Sequence, residues 1–190
     1  MVNTKELFNE LFEKLTIEDV NERKSIVYWL LEHYVGVSRT DVLLGKEIIE
    51  KSVDWEIIIR RLNTNEPIQY IISETEFFGR KFTVSPGVLI PRPETEEIVQ
   101  LVLNDKALPQ NATILDIGTG SGCIAISLAA EMNNAEVFAF DISETALEIA
   151  KKNAVLNSVK VQFMKQDILN PDFHQIVNVI VSNPPYVTNA

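Results

Sequence analysis

Several residue types and patterns are scarce in this sequence of 190 residues, and each scarcity excludes a class of protein. Cys123 is the lone cysteine, which excludes a disulfide framework and a cysteine-based zinc cluster. The two histidines, His33 and His174, have no partners at ligand spacing, so we expect no metal site. No apolar run approaches the roughly 18 residues of a membrane span, and the N-terminus lacks the continuous apolar core of a signal peptide. We therefore expect a cytoplasmic protein without a membrane partner.

Positive charge is also scarce, because 17 Lys and Arg stand against 27 Asp and Glu, for a formal net charge of −10. Tight nonspecific binding to nucleic acid needs a surplus of cations to displace counterions, so this balance argues against a direct nucleic-acid partner. Hydrophobic residues make up 46% of the chain and charged residues 23%, which is typical of a folded globular protein and not of a disordered one.

Hydrophobic periodicity divides the chain into two parts. Up to about residue 72, apolar residues recur at helical spacing, as in Leu7, Phe8 and Leu11, which predicts a small helical bundle. Residues 77–84 instead show two short β-like runs around Gly79-Arg80-Lys81, which predicts a hairpin. We predict a helical domain over 1–72, a hairpin linker over 73–90 and a second domain over 91–190.

The second domain alternates strands with helices. Strands are predicted at Thr113–Ile117, 136–140, 160–164 and 176–181, and helices at about 94–103, at Cys123–Glu131 and at 144–153. Alternation of this kind predicts an α/β fold with a doubly wound parallel sheet.

A glycine-rich turn follows the first strand of this domain. After Asp116 and Ile117 it comprises Gly118, Thr119, Gly120, Ser121 and Gly122. Glycine lets the backbone pass close to a ligand, and the next helix begins with N–H groups that can bind an anion. The spacing G-x-G-x-G differs from the dinucleotide fingerprint G-x-G-x-x-G. The turn therefore indicates ligand binding, with a merely tight turn as the alternative.

Acidic residues follow the next two strands. Asp141 ends the second strand, 21 residues after Gly120, where a carboxylate can accept hydrogen bonds from both hydroxyls of a ribose. Its alternative role is to cap the next helix. Asp167 follows the third strand, where it can accept from an adenine amino group while Ile168 contacts the ring. A turn or cap residue is the alternative for Asp167.

The fourth strand is followed by Ser182-Asn183-Pro184-Pro185-Tyr186. Consecutive prolines make a rigid loop that exposes backbone carbonyls. The Asn183 side-chain oxygen and the Pro184 carbonyl can accept both hydrogens of a planar NH₂ group, and Tyr186 can stack on it. Such a loop catalyses by positioning and desolvation.

Because ligands of open α/β sheets bind at the carboxyl ends of the strands, these features converge on one crevice. They predict an S-adenosylmethionine-dependent methyltransferase that acts on a planar nitrogen. The glycine-rich turn would hold the methionine part of the cofactor, Asp141 the ribose, and Asp167 with Ile168 the adenine. Residues 183–186 would be catalytic and bind the methyl acceptor, with Asn183 also beside the cofactor.

The combination of motifs indicates a narrower family within this class of methyltransferases. Four motifs carry this indication: Phe77-Phe78-Gly79-x-x-Phe82-x-Val84, Leu89-Ile90-Pro91-Arg92-Pro93-Glu94-Thr95-Glu96, the run from Asp116 to Gly122, and the run from Ser182 to Tyr186. Through them the chain resembles the peptide chain release factor glutamine methyltransferase family over about residues 67–187. The resemblance implies a class I S-adenosylmethionine-dependent methyltransferase fold, with S-adenosylhomocysteine as product and no metal. It implies N5-methylation of the glutamine in the Gly-Gly-Gln motif of class 1 release factors.

Further expectations come from the same resemblance. The helical domain would help to dock the release factor, and Arg92, Glu94 and Thr95 would lie near the active-site pocket. Position 178 is Asn where the family usually has Asp, which we expect to be a local change.

The chain ends at Ala190, shortly after the catalytic loop, with fewer predicted strands than a complete class I methyltransferase sheet. We therefore expect a catalytic domain that is incomplete at its C-terminus. We also expect self-association through the unpaired edge of the strand at 176–181. Two alternatives remain. One is a nucleic-acid N-methyltransferase acting on adenine N6 or guanine N2, and the other is an inactive cofactor-binding fragment.

Overall fold

The computed structural model of the protein describes residues 1–49 and 52–184. The chain divides into two compact units, Met1–Ile72 and Ser73–Ala190. Within the described ranges, no helix combines the length and the apolar composition that a membrane crossing requires. No group of three or more His, Cys, Asp or Glu side chains in those ranges could hold a metal ion.

The first unit is built of short helices around one apolar core. Its helices are α1 (Thr4–Lys14), α2 (Val20–Leu30), α3 (Arg39–Leu43), α4 (Trp55–Asn63) and α5 (Ile68–Ile72), with a π-helical turn at Leu31–Val35. Leu11, Val27 and Leu30 are fully buried in the core. This confirms the helical bundle. The sequence pattern missed one short antiparallel pair, β1 (Val2–Asn3) with β2 (Glu47–Ile48), whose strands are too short to show a period.

The second unit begins with the expected hairpin, of β3 (Glu74–Phe77) and β4 (Arg80–Thr83). Phe77 pairs with Arg80, so the loop is the two residues Phe78 and Gly79, with φ of +50° and +68°. Two-residue hairpin loops favour positive φ at both positions because that twist matches the strands. The predicted turn at Gly79-Arg80-Lys81 is therefore wrong, since Arg80 and Lys81 belong to β4.

The rest of the second unit is the expected α/β structure. A short 3-10 turn, Pro93–Thr95, leads into α6 (Glu96–Asn104), and α7 (Cys123–Glu131) and α8 (Glu144–Leu156) follow later. The sheet strands are β5 (Thr113–Ile117), β6 (Glu136–Asp141), β7 (Gln162–Lys165) and β8 (Val179–Ser182). They pair in parallel in the order β7-β6-β5-β8. The chain therefore reverses its direction of winding at β5, and ligands bind beside such a switch point in open sheets.

The fourth strand is shorter and begins later than predicted. Ile176 is 93% exposed, although an apolar run from 176 to 181 suggested a buried strand. Asn178 exchanges two hydrogen bonds of 2.8 Å with the backbone of Thr113, through its own N–H and its side-chain Oδ1. This pair of hydrogen bonds lies at the start of the β5–β8 pairing. Among the described strands β8 pairs with β5 alone, and whether this edge self-associates stays a prediction.

Candidate active site

A cleft of about 420 Å³ opens at the carboxyl ends of the four parallel strands. Each strand is followed by a segment that lines it. The lining includes Gly118 and Gly120 after β5, Asp141 at the end of β6, Asp167 and Ile168 after β7, and Asn183 and Pro184 after β8. The structure thus brings together residues from all four sequence features. It adds a wall from Gly87, Val88 and Leu89, to which the sequence assigned no site role.

The glycine-rich turn is held against β6 by its backbone. The N–H groups of Gly118 and Thr119 both donate to the Phe140 carbonyl, at 2.9 Å each. Gly118 and Gly120 have φ of +71° and +56°, and a Cβ on either would project into open space. These two glycines therefore allow the turn and leave the cleft unobstructed.

Gly122 has a different environment from the other two glycines of the turn. Its φ is +82°, and a Cβ there would lie 2.8 Å from Ile126 Cδ1 and 3.1 Å from Ala150 Cβ. It lets α7 and α8 pack closely and does not line the cleft. A direct contact between Gly122 and a cofactor stays a prediction.

Asp116 supports the turn from beneath. Its Oδ2 accepts a hydrogen bond of 2.7 Å from the Thr119 hydroxyl, and both residues are buried. Burial raises the pKa of the Asp116 carboxyl to about 6, and the nearby charge of Asp141 adds to that rise.

Asp141 joins the end of β6 to the turn. Its Oδ2 accepts from the Gly120 N–H and its Oδ1 from the Ser143 N–H, at 2.9 Å each. The alternative that Asp141 caps the next helix is wrong, because the N-cap of α8 is Ser143, whose Oγ accepts from the Ala146 N–H at 3.2 Å. The carboxylate retains acceptor capacity beyond these two bonds.

Asp167 organises a turn and also lines the cleft. Its Oδ1 accepts from the Leu169 N–H and its carbonyl oxygen from the Asn170 N–H, both at 3.0 Å, so it does organise a turn. It also lines the cleft together with Ile168. Contact with an adenine stays a prediction.

Asn183 lies where the large cleft meets a second cavity of about 40 Å³, whose lining also includes Arg92 and Thr95. The Asn183 Nδ2 donates to the Thr95 hydroxyl oxygen at 3.0 Å. The preceding Ser182 Oγ donates to the Ile117 carbonyl at 2.8 Å, which ties this end of β8 to β5. Glu94 is exposed and lines neither cavity. Pro185 and Tyr186 lie outside the described residues.

A parallel sheet that reverses at β5, with a glycine-rich turn and acidic residues at its strand ends, defines a methyltransferase-like nucleotide-binding fold. Comparison with known proteins agrees. Residues 95–190 match the family model of the methyltransferase small domain, and residues 6–72 match that of the PrmC N-terminal domain.

The names of similar curated proteins indicate a narrower family than these family models. Three examples are each named release factor glutamine methyltransferase. That of Flavobacterium psychrophilum is 46% identical over 92% of this chain and 64% of its own length. The protein of Bacteroides thetaiotaomicron is 52% identical over 82% of this chain and 57% of its own length. The protein of Staphylococcus aureus is 36% identical over 98% of this chain and 68% of its own length. The chain belongs to the release factor glutamine methyltransferase family. It spans about 57 to 68% of the length of these relatives.

Proposed function

We propose that the protein transfers a methyl group from S-adenosylmethionine to the side-chain amide nitrogen, N5, of the glutamine in the Gly-Gly-Gln motif of class 1 peptide chain release factors. One observation carries this proposal. Asn183, a residue suited to hold a planar amide, lies at the junction of the large cleft and the smaller cavity, beside the glycine-rich turn. The names of the family relatives supply the acceptor.

The cleft fits the proposed cofactor in size and in chemistry. Its volume of about 420 Å³ lies in the range of small-molecule sites. The open space above Gly118 and Gly120 leaves room for the methionine part along the turn, which also includes Thr119, Ser121 and Gly122. When bound, the cofactor supplies an electrophilic methyl group on a sulfonium sulfur.

The nucleoside part of the cofactor would lie farther along the strand ends. We assign its ribose hydroxyls to the Asp141 carboxylate, which the Gly120 and Ser143 N–H groups already hold in place. We assign its adenine to Asp167 and Ile168, which line the same cleft. An apolar surface beside a hydrogen-bond acceptor suits a ring with an amino group.

The protein acts on the acceptor by positioning it. The Asn183 Oδ1 and the Pro184 carbonyl accept the two hydrogens of the glutamine amide, which aims the nitrogen at the methyl carbon. The cofactor would supply the methyl group and keep the carbon–sulfur electron pair as neutral S-adenosylhomocysteine, and the proton that the amide nitrogen gives up would pass to water from its hydrogen bond to Asn183 or Pro184. Pro185 and Tyr186 would complete the acceptor site by rigidity and stacking.

The substrate is a protein, which agrees with a formal net charge of −10. We assign docking of the release factor to the helical unit, Met1–Ile72, and place the reaction in the cytoplasm, where release factors act. A nucleic-acid amino group fits an amide-holding loop as well, but no observation on the structure favours that acceptor.

The test is to incubate the full-length protein with S-adenosylmethionine and a class 1 release factor and to map methylation by mass spectrometry. We expect one added methyl group on the Gly-Gly-Gln glutamine. Asn183→Ala should lower the rate about 100-fold, whereas Asn104→Ala, an exposed asparagine at the end of α6, should leave it unchanged. Methylation of RNA or DNA in place of the release factor would refute the acceptor. No binding of S-adenosylmethionine in calorimetry would refute the reaction.

A further inference from the structure

We propose that Thr95 is a positioning residue that holds the amide of Asn183 with its Oδ1 available to a ligand. The inference rests on the proposed function for its catalytic consequence, but its structural content concerns two side chains of this chain. They lie 88 positions apart in sequence and meet through one hydrogen bond, from Asn183 Nδ2 to Thr95 Oγ1 at 3.0 Å.

The direction of that bond decides what Asn183 offers to a ligand. An asparagine amide has an acceptor oxygen and a donor NH₂ group of nearly equal size, and rotation by half a turn exchanges them. When the NH₂ group donates to Thr95, the Oδ1 faces away from Thr95. A glutamine amide needs an acceptor, so the other rotamer would set two donor groups against each other.

Thr95 is well placed for this role because its own position is tightly constrained. It is 8% exposed and ends the short turn Pro93–Thr95, where its N–H donates to the Arg92 carbonyl at 3.0 Å. The next residue begins α6, which buries Val99 and Val102 in the core. The Glu96 Oε1 accepts from the Phe78 N–H at 2.8 Å, which ties the start of α6 to the hairpin.

The Asn183 side of the bond is constrained as well. Ser182 is the last residue of β8, where it pairs with Ile117, and its hydroxyl donates to the carbonyl of the same Ile117 at 2.8 Å. The side-chain amide of Asn183 can therefore rotate while the backbone at the end of β8 and the backbone at Thr95 are both held in place. The Thr95 hydroxyl satisfies the NH₂ group of Asn183 in the rotamer that leaves Oδ1 for a substrate amide, and the NH₂ group of that substrate disfavours the other rotamer. Preorganisation of this kind favours catalysis without adding a contact to the substrate.

The experiment compares Thr95→Val, which keeps the shape and removes the hydroxyl, with Thr95→Ser, which keeps the hydroxyl. The first readout is the pair of side-chain ¹⁵N–¹H signals of Asn183 in the full-length protein, assigned by their loss in Asn183→Asp. We expect these signals to shift and to exchange with water about tenfold faster in Thr95→Val. They should stay close to wild type in Thr95→Ser. Thr95→Ala should behave like Thr95→Val and serves if the latter perturbs folding.

The second readout is the kinetics of methyl transfer. We expect Thr95→Val to lower kcat about tenfold with KM for S-adenosylmethionine unchanged, and Thr95→Ser to restore kcat. Unchanged Asn183 signals in Thr95→Val would overturn the inference, and so would an equal loss in Thr95→Ser, which would indicate packing of the Thr95 methyl group. If the Asn183 signals respond as expected but no release factor is methylated, the proposed function fails while the role of Thr95 in orienting the amide stands.

Discussion

Asn153 allows a quantitative test of how the glycine-rich turn is held. It lies on α8 with 0% exposure, and its amide makes three hydrogen bonds. The Nδ2 donates to the carbonyls of Thr83 and Ser121 at 3.0 and 2.9 Å, and the Oδ1 accepts from the Thr83 N–H at 2.7 Å. One side chain thus connects the helix to β4 and to the turn.

Replacing Asn153 by Ala removes all three hydrogen bonds. Because the site is buried, no water replaces the lost amide, and the backbone groups of Thr83 and Ser121 lose these partners. At about 1 kcal/mol for each bond, we expect the local free energy of unfolding to fall by about 3 kcal/mol. Asn157→Ala is the matched control, at the residue that follows the end of α8. Its Nδ2 donates to the carbonyls of Lys81 in the hairpin and of Asn153, at 2.9 Å each, but the site is partly exposed and water can replace these bonds. We expect a loss of about 0.5 kcal/mol there.

Hydrogen exchange followed by mass spectrometry is the suitable assay, because it reports on β4 and the turn peptide by peptide, whereas both tryptophans, Trp29 and Trp55, belong to the helical unit. A loss of about 3 kcal/mol should make peptides covering β4 and the turn exchange about 100-fold faster in Asn153→Ala. Peptides of α2 serve as an internal reference. Equal effects of the two substitutions, or less than about 1 kcal/mol for Asn153→Ala, would show that buried hydrogen bonds do not hold the turn.

Three further substitutions test the site. Gly122→Ala would place a methyl group 2.8 Å from Ile126 Cδ1, so we expect a loss of about 2 kcal/mol in urea denaturation; no loss would refute the close packing. The raised pKa of Asp116, about 6 against about 4 unfolded, means that its contribution to stability falls as pH rises through that window. Asp116→Asn should therefore flatten the pH dependence of stability between about pH 4 and 6 and be more stable at neutral pH; an unchanged profile would contradict this. Asp141→Asn should weaken S-adenosylmethionine binding about tenfold in calorimetry, and unaltered affinity would remove Asp141 from the ribose site.

The sequence predicts those elements whose local pattern agrees with their final environment. The bounds of β5 and α7 match the prediction to the residue, because each is an apolar run that ends at glycines or polar residues and is buried in the core. The hairpin turn was predicted at 79–81 but lies at 78–79, since its position depends on the pairing of Phe77 with Arg80, which composition does not reveal.

The contacts that hold the site together could not be predicted in this way. Asn153 meets Thr83 across 70 positions, and Asn183 meets Thr95 across 88. A single polar residue has no periodicity, and whether it is buried depends on elements that the chain brings to it from elsewhere. The apolar run at 176–181 likewise predicted a strand that begins too early. The two hydrogen bonds between Asn178 and Thr113 decide where the pairing with β5 begins, and the sequence pattern does not reveal them.

The sequence also posed structural and ligand-binding roles as alternatives for Asp141 and Asp167. In the structure both make backbone hydrogen bonds and still line the cleft, so a structural bond and a binding role are compatible at one residue. Asp141 accepts from the Gly120 N–H, Asp167 organises a turn, and both face the cleft. A carboxylate has about four lone-pair sites, so one or two backbone donors leave room for a ligand. Those donors also fix the carboxylate before the ligand arrives, which lowers the entropy cost of binding. A structural hydrogen bond at the end of a strand is therefore compatible with a binding role, and it identifies which oxygens are already held in place.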